Sequence, residues 1–275
     1  MKRKNIYEIM HLGEISLKKE YGRLYALIHD DRLEIYEEQT ITTSIYSLAE
    51  SFIRYFDLSF TNRAISLKEI QKAFGYTFTF SPKVITMEFM VAFCEFISNI
   101  CYQLKQLFSD KQIDKEYIMV VERNTNDCMS TLGYSKLEYN GVLIYAEESS
   151  ASLAVAEIID DALSYKVLEY NHYRMRGNLV EKLGILKLMA DDIDAKNIRS
   201  ALHEINATLE KQLYQLINKF VRHNQAQTPA IYEMNDEELE FWYDNIYQMW
   251  LLAKLELEHV GRKKRIAELL VKING

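Results

Sequence analysis

The chain has 275 residues, which is enough for one large domain or two modest ones. Hydrophobic residues make up 48% of it and charged residues 27%, and only two prolines and nine glycines are present. This composition is typical of globular proteins with a sizeable core and excludes a turn-rich all-β fold. The net charge of -7 excludes a general attraction to nucleic acid, so any contact with RNA or DNA requires a local basic patch.

Three features of the sequence indicate the cellular compartment of the protein. The N-terminal stretch "MKRKNIYEIMHLGEISLKKE" has basic residues but no apolar core, which argues against a signal peptide. The most apolar stretch, "VITMEFMVAFCEFISNICYQL", carries Glu88 and Glu95 and so predicts a buried helix rather than a membrane span. Cys94, Cys101 and Cys128 lack metal-ligand spacing and are interpreted as buried free thiols. We expect a cytoplasmic protein without membrane contact.

The first 60 residues contain a predicted hairpin. In "YGRLYALIHDDRLEIYEE" apolar and aromatic residues alternate on both sides of His29–Asp31, which would form the turn. Helices are predicted next, at about Ser44–Phe56 and Leu67–Phe74. A further helix is expected to open at Ser81-Pro82, with serine as cap and proline in the first turn, and to reach about Phe108.

Two short apolar runs predict strands before residue 149. They are "EYIMVVE" (Glu116–Glu122) and "GVLIYAE" (Gly141–Glu147), and the first is rich in β-branched residues. A helix or loop would lie between them, and the N-terminal hairpin could join the same sheet. Residues 1–148 are therefore predicted to form a mixed α+β domain.

Residues 149–275 show helical patterns only, and we predict an all-α four-helix bundle, so that the protein is mainly helical overall. Three helices are expected at about Ala151–Arg176, Leu179–Ala190 and Ala195–Arg222. The fourth begins at "NDEELEFWY", where Asn235 and Glu238 have the spacing of a capping box. Apolar residues at spacings of three and four mark the core face of the last two helices.

The candidate site best suited to catalysis lies in "NKFVRHNQAQTP", where Arg222, His223 and Asn224 stand at the end of the third helix. Arginine presents a planar fork that matches phosphate, and histidine transfers protons near neutral pH. Together they suit metal-independent RNA cleavage. The alternative is structural: a cationic pair at a helix end satisfies the last carbonyls and complements the helix dipole.

A second polar cluster lies in "EYNHYRMRGN", at the end of the first bundle helix, where Asn171, His172 and Arg176 precede the helix break at Gly177. We expect these residues to assist binding if the bundle brings them to Arg222 and His223. A polar helix end without function is the competing interpretation.

Other polar motifs are weaker. Arg199 and His203, at positions i and i+4, are interpreted as a surface pair. A metal site at Asp191, Asp192 and Asp194 is weakly indicated because the spacing does not match a calcium loop. No motif indicates a P-loop, a serine nucleophile, a zinc site or a cofactor, and we predict neither metal nor cofactor.

Three tracts in the second half resemble a family of uncharacterised bacterial proteins related to abortive-infection proteins. They are "AEIIDDALSYKVLEYNHYRMRGNLVEKLGILKLMA", "LINKFVRHN" and "MNDEELEFWYDNIYQMWLLAKLELEHVGRKKRIAEL", which agree in order and spacing over about Ala156–Leu269. The resemblance implies a helical module similar to HEPN domains, which recur in toxin–antitoxin, CRISPR-associated and phage-defence systems. Many of those modules are metal-independent ribonucleases that work as dimers.

The HEPN ribonuclease motif is not reproduced cleanly. It places a histidine four to six residues after an arginine, whereas here His223 follows Arg222 at once and no histidine occurs in residues 225–232. Arg199 and His203, with three residues between them, are one residue too close for this motif. The resemblance therefore allows both a catalytic and a non-catalytic module.

Two functional hypotheses follow. The first is a phage-defence protein whose bundle binds or cleaves RNA, with Arg222 and His223 as the catalytic residues. The second is a non-enzymatic module that mediates homodimerisation or binds a partner protein of a defence or toxin–antitoxin complex. Four aromatic residues of the last helix, if exposed, would favour the second and otherwise belong to the core: Trp242, Tyr243, Tyr247 and Trp250.

Overall fold

The protein divides into two compact units, Met1–Glu147 and Glu148–Gly275. The structure is a computed structural model, and it describes residues 16–56, 64–108, 112–139, 141–195, 198–222, 231 and 233–274. It is mainly helical, with two small β-hairpins in the first unit. Within these ranges no helix is both long and apolar enough to cross a membrane.

The described part of the first unit contains five α-helices and four strands. The helices are α1 (Leu17–His29), α2 (Ile45–Phe52), α3 (Leu67–Ala73), α4 (Met87–Leu107) and α5 (Lys115–Thr131). The strands are β1 (Leu33–Tyr36), β2 (Thr40–Thr43), β3 (Tyr134–Tyr139) and β4 (Val142–Glu147). A serine, threonine or aspartate caps every one of these helices by accepting a hydrogen bond from a backbone N–H of the first turn.

Helix α4 is the centre of the first unit and is buried on nearly all sides. Its apolar side chains pack against α1, α2, α5 and β4, which explains why its sequence is apolar all round. Asn99 of α4 donates to the carbonyl of Leu143 at 2.7 Å and accepts from the same residue's N–H at 3.0 Å. The carboxylate of Glu95 accepts from the N–H of Tyr145 at 2.8 Å. These polar groups are retained inside because they bind the free edge of β4.

The strands form two separate antiparallel hairpins, β1–β2 and β3–β4. The possibility that the N-terminal hairpin joins the sheet of β4 is therefore not realised. The predicted strand at Gly141–Glu147 corresponds to β4, and Gly141 adopts a φ of 75° in the turn before it, a conformation that glycine reaches without strain.

Three sequence predictions for this unit are wrong. Residues 21–28 are helical rather than the first strand of a hairpin, because Tyr21, Leu24 and Ile28 share one buried face at helical spacing. The run Glu116–Glu122 belongs to α5, where Asp114 caps the helix and tertiary packing overrides β-propensity. The helix expected at Ser81-Pro82 begins at Met87, since Thr86 supplies the cap.

The described part of the second unit is helical. Its α-helices are α6 (Ser150–Ala156), α7 (Asp161–Glu169), α8 (Leu179–Ala195), α9 (Ile198–Leu216) and α10 (Asp236–Asn274). A 3-10 turn at Tyr173–Met175 precedes Gly177, whose φ is 72°, and a π-helical turn at Ile217–Arg222 extends α9. The predicted helix Ala151–Arg176 is thus broken into α6, α7 and the 3-10 turn.

The predicted capping box at the start of α10 is confirmed. The Asn235 side chain accepts from the N–H of Glu238 at 3.0 Å, and the Glu238 carboxylate accepts from the N–H of Asn235 at 3.0 Å. Two N–H groups that the helix leaves unpaired are satisfied in this way, which fixes where α10 begins.

Helix α10 provides the core of the second unit, and α6, α8 and α9 pack around it. Tyr243, Tyr247 and Trp250 are at most 2% exposed, and Trp242 is partly buried. The aromatic residues of this helix therefore belong to the core, and their density does not mark an interface. The Tyr247 hydroxyl donates to the carbonyl of Val167 at 2.7 Å, so its polar atom is satisfied inside the core.

Candidate functional site at the kink of helix α9

Asn206 interrupts α9 and brings distant polar residues together. Its φ of -150° and ψ of 81° are not helical, and its side chain accepts from the N–H of Leu209 at 3.0 Å, so it caps the second half of the helix. Its amide nitrogen donates to both carboxylate oxygens of Glu256 on α10, at 3.1 Å and 3.2 Å. The kink is therefore held by hydrogen bonds on both sides.

Residues on opposite sides of the kink meet at Glu210. In a straight helix Arg199 and Glu210 would be separated by about 16 Å along the axis. In the kinked helix Arg199 Nε lies 2.6 Å from Glu210 Oε1, and His203 Nδ1 lies 3.2 Å from Glu210 Oε2. The side chains of Arg199 and His203 are 61% and 65% exposed, whereas that of Glu210 is 7% exposed. Arg199 and His203 are indeed on the surface, but they are joined through a buried carboxylate.

The kink sets the ionisation of Glu210. Burial alone would raise the pKa of this carboxyl, but hydrogen bonds from Arg199 and His203 and their charges outweigh burial, and the pKa is lowered. A carboxyl with a lowered pKa in the folded state contributes stability above its ordinary pKa, and this contribution is lost as the pH falls through the folded-state value.

We expect Glu210→Gln to lower the free energy of unfolding by about 1 kcal/mol at pH 7, because one partner of each pair is solvent-exposed. The difference from wild type should shrink as the pH is lowered below about 4. Thermal unfolding from pH 7 downward measures it. The control is Glu204→Gln, an exposed carboxylate on the same helix. A difference that is constant with pH would contradict the assigned charge of Glu210.

Tyr214 connects this group to Arg222. The guanidinium carbon of Arg199 lies 4.1 Å from the centre of the Tyr214 ring, and that of Arg222 lies 5.8 Å from it. The Tyr214 hydroxyl donates to Asp194 at 3.3 Å. Burial and the neighbouring charge of Asp194 raise the pKa of Tyr214 to about 12, so the phenol stays protonated at neutral pH. Two arginines thus flank one aromatic ring, and Tyr214 itself is buried.

Arg222, the leading residue of the predicted site, is engaged in structural contacts. Its guanidinium pairs with Asp194 and donates to the carbonyl of Ala190 at 3.1 Å and to the side chain of Asn218 at 3.1 Å. Ala190 lies in the last two turns of α8, so Arg222 satisfies a carbonyl near a helix C-terminus. Its contacts match the structural interpretation of this motif. His223 and Asn224 lie outside the described residues.

The cluster around the kink carries little excess charge. Arg199 and Arg222 are each paired with a carboxylate, those of Glu210 and Asp194 respectively. A phosphate group would have to compete with these carboxylates, which weakens the site as an anion-binding surface. His203 adds positive charge only when it is protonated.

The second predicted cluster serves the packing of its own helix ends. The Asn171 amide donates to Ser152 Oγ at 3.0 Å and to the Tyr247 hydroxyl at 3.1 Å. His172 is 4% exposed, and its Nδ1 accepts from the N–H of Arg174 at 3.3 Å, which caps the 3-10 turn. Arg176 is exposed, and its charge helps to lower the pKa of Glu240, although burial of that carboxyl acts in the opposite direction.

The structure does not bring the two predicted clusters together. Asn178 caps the N-terminal end of α8 by accepting from the N–H of Glu181 at 3.2 Å. Arg222 contacts Ala190 and Asp194, near the C-terminal end of the same helix. Twelve residues of helix correspond to about 18 Å, too far for both clusters to bind one phosphate. These contacts count against a convergence of His172 and Arg176 with Arg222, which stays a prediction.

The aspartates considered as metal ligands bind cations of the chain instead. Asp192 pairs with Lys254 at 2.8 Å, and Asp194 pairs with Arg222. Across the ranges that the structure describes, no three His, Cys, Asp or Glu residues are grouped so that they could hold a metal ion. The carboxylates of this region neutralise buried and half-buried cations.

Comparisons with known proteins give no relative. No protein family, no curated protein and no solved structure matches the chain. The HEPN-like architecture and the abortive-infection resemblance thus remain expectations from the sequence.

The group joined by Glu210 and Tyr214 was missed by sequence reasoning, although one signal was present. Asn206 stands inside an apolar helical stripe, and asparagine is unfavourable in helix interiors but favoured at caps. That residue could have indicated a kink, and a kink would have placed Arg199 and His203 beside the residues that follow it.

Proposed function

We propose that the second unit is a non-catalytic interaction module of a phage-defence or toxin–antitoxin complex, similar in architecture to HEPN modules. The observation that carries this proposal is the end of α10. Residues 261–274, here called the distal segment, extend beyond the packed part of the helix. Such a segment provides a binding surface without any catalytic group.

The distal segment exposes apolar side chains that a monomer leaves in water. Four of them are between 50% and 67% exposed: Ile266, Leu269, Leu270 and Ile273. Burying one such side chain fully contributes about 1.5–3 kcal/mol, so leaving four of them exposed forfeits a large stabilisation. Contiguous exposed apolar residues rimmed by charges are typical of interaction sites.

A metal-independent ribonuclease of HEPN type is the competing proposal. The closeness of Arg199 and Arg222, which both contact Tyr214, favours it, because guanidinium groups suit the phosphates of RNA. Against it stand the carboxylates already bound to both arginines and the separation of His172 from Arg222. RNA cleavage would then depend on Arg222 and His223 without the second cluster.

Two measurements on the full chain test the proposal. Purified protein is incubated with total RNA and EDTA beside an Arg222→Ala/His223→Ala variant, and no cleavage is expected from either. In parallel, bacteria expressing wild type, that variant or an Ile266→Asp/Leu269→Asp variant are challenged with a panel of phages. We expect protection from wild type and from the Arg222/His223 variant and loss of protection with the distal variant.

Three results would overturn the proposal. EDTA-resistant cleavage that disappears in the Arg222/His223 variant would establish the ribonuclease instead. Equal protection by wild type and the distal variant would remove the distal segment from the function, and no protection against any phage would remove the defence role.

A further inference from the structure

Helix α10 changes its apolar face along its length. Up to Leu257 its buried side chains, among them Tyr243, Ile246 and Trp250, point toward the core of the second unit. In the distal segment the apolar residues Ile266, Leu270 and Ile273 lie about 170° away around the helix axis, at roughly 100° per residue. The distal apolar stripe therefore faces away from the chain's own core.

The exposed stripe extends back along α10 toward its packed part. Leu252 is 47% exposed and lies on the same side of the helix as Ile266 and Leu269. Leu255 lies on that side too, but it is half-buried and also packs against the core of its own unit. Leu252, Leu255, Ile266, Leu269 and Ile273 have the spacing of heptad core positions a and d. His259 and Arg262 occupy the two heptad core positions between Leu255 and Ile266.

The charges beside this stripe are segregated along the helix. Glu256 and Glu258 precede the polar middle of the stripe, and Lys263 and Arg265 follow it. Glu256 also accepts from the neutral amide of Asn206, so its negative charge is not neutralised by that contact. Glu258 accepts from Arg262 at 3.1 Å and from Arg265 at 2.7 Å within the chain, and all three are exposed or half-buried. These contacts involve solvent-exposed groups and are readily exchanged.

A second copy of the helix complements this pattern in the antiparallel direction. With Leu252 opposite Leu269 of the other copy, Leu255 meets Ile266, and His259 meets Arg262. In that alignment Glu258 lies beside Arg265 on one flank, and Glu256 lies beside Lys263 on the other. Each of these pairs occurs twice because the arrangement has two-fold symmetry. A parallel arrangement would keep only the pairs of Glu258 with Lys263 and would leave Glu256 and Arg265 without a charged partner in the other copy.

We propose that the chain forms a homodimer through an antiparallel pairing of the exposed α10 stripe, with Glu256 and Glu258 of each copy facing Lys263 and Arg265 of the other. This inference rests on the proposed interaction module and names its partner as a second copy. The apolar pairs supply the driving force, and the charges select the antiparallel register. The polar middle at His259 and Arg262 also disfavours shifted registers.

The first measurement is the solution mass of the full chain. The monomer has a mass of 32.4 kDa, and we expect twice that value by light scattering at micromolar concentration. An Ile266→Asp/Leu269→Asp variant should dissociate at least tenfold more readily. The matched control is Gly261→Ala, because this residue lies on the opposite side of the helix and an added Cβ would meet nothing within 4 Å. That variant should remain dimeric.

The second measurement tests the register with two charge-reversed chains. One carries Glu258→Lys, and the other carries Arg265→Glu; Glu256 is left unchanged because its carboxylate holds Asn206 at the kink of α9. Each is expected to be monomeric alone, because like charges face each other across its own dimer. Mixed at equal concentration, they should form a heterodimer, which mass spectrometry of the intact complex identifies. Circular dichroism of each variant verifies that it is folded.

Three outcomes would overturn the inference. A wild-type chain that is monomeric at every concentration excludes the second copy. A wild-type dimer whose charge-reversed variants fail to pair in the mixture excludes this register. A monomer that sediments with phosphatidylserine vesicles through the distal segment identifies a lipid surface instead. None of these outcomes involves RNA cleavage, so failure here is distinguishable from failure of the interaction module.

Discussion

Replacing Trp250 by alanine should lower the free energy of unfolding of the second unit by about 3–5 kcal/mol, because the indole is large and completely buried. Trp250 is 0% exposed, and its Nε1 donates to the carbonyl of Met189 at 3.0 Å. The substitution removes the packing between α8 and α10 and leaves that carbonyl without its donor. Urea denaturation followed by far-ultraviolet circular dichroism measures the loss.

Two further variants separate packing from hydrogen bonding at this position. Trp250→Phe retains much of the volume but not the N–H, so its cost should be clearly smaller. Trp242→Ala is the matched control, because Trp242 is only partly buried. Equal destabilisation by Trp242→Ala and Trp250→Ala would contradict the central position of Trp250 in the core.

Replacing Lys182 by methionine should cost about 2–3 kcal/mol at pH 7. The Lys182 side chain is 5% exposed, and its Nζ lies 2.8 Å from Glu240 and 2.6 Å from Asp244. Removing the cation leaves two carboxylates on adjacent turns of α10 without a counter-charge. The cost is expected below that of a fully buried pair, because the Asp244 side chain is 42% exposed. Chemical denaturation measures it.

The pH dependence identifies the electrostatic origin of this loss. Burial would raise the pKa of Glu240, but the hydrogen bonds from Lys182 and the N–H of Gly177 and the charge of Lys182 outweigh it, and the pKa is lowered. The stabilisation is therefore complete above the ordinary carboxyl pKa and is lost as the pH falls through the folded-state value. Lys187→Met, an exposed lysine on the same helix, is the control. A penalty that persists in acid would indicate lost packing instead.

Local signals in the sequence predicted the second unit better than the first. The capping box of α10 involves residues three apart, and its start was therefore predicted correctly. In the first unit Tyr21, Leu24 and Ile28 lie among aromatic residues that also alternate, so the same run fits a strand and a helix. The choice between strand and helix depends on which side chains are buried, and the sequence alone does not show this.

The candidate site was harder to predict because its contacts are made across the fold. Arg222 binds Ala190 and Asp194, which are 32 and 28 residues away in the chain. Arg199 reaches Glu210 only because the backbone at Asn206 leaves the helical region. Residue types indicated polar groups at helix ends correctly, but which ends meet depends on helix packing and on the kink.

The distribution of rare side chains makes each unit separately observable. The three cysteines of the sequence, Cys94, Cys101 and Cys128, are buried in the first unit, and both tryptophans belong to the second. Burial raises the pKa of the Cys94 and Cys101 thiols, which disfavours the reactive thiolate. Labelling of Cys94 and Cys101 therefore reports opening of the first unit, while indole fluorescence reports on the second. Both signals can be recorded from the same unmodified chain.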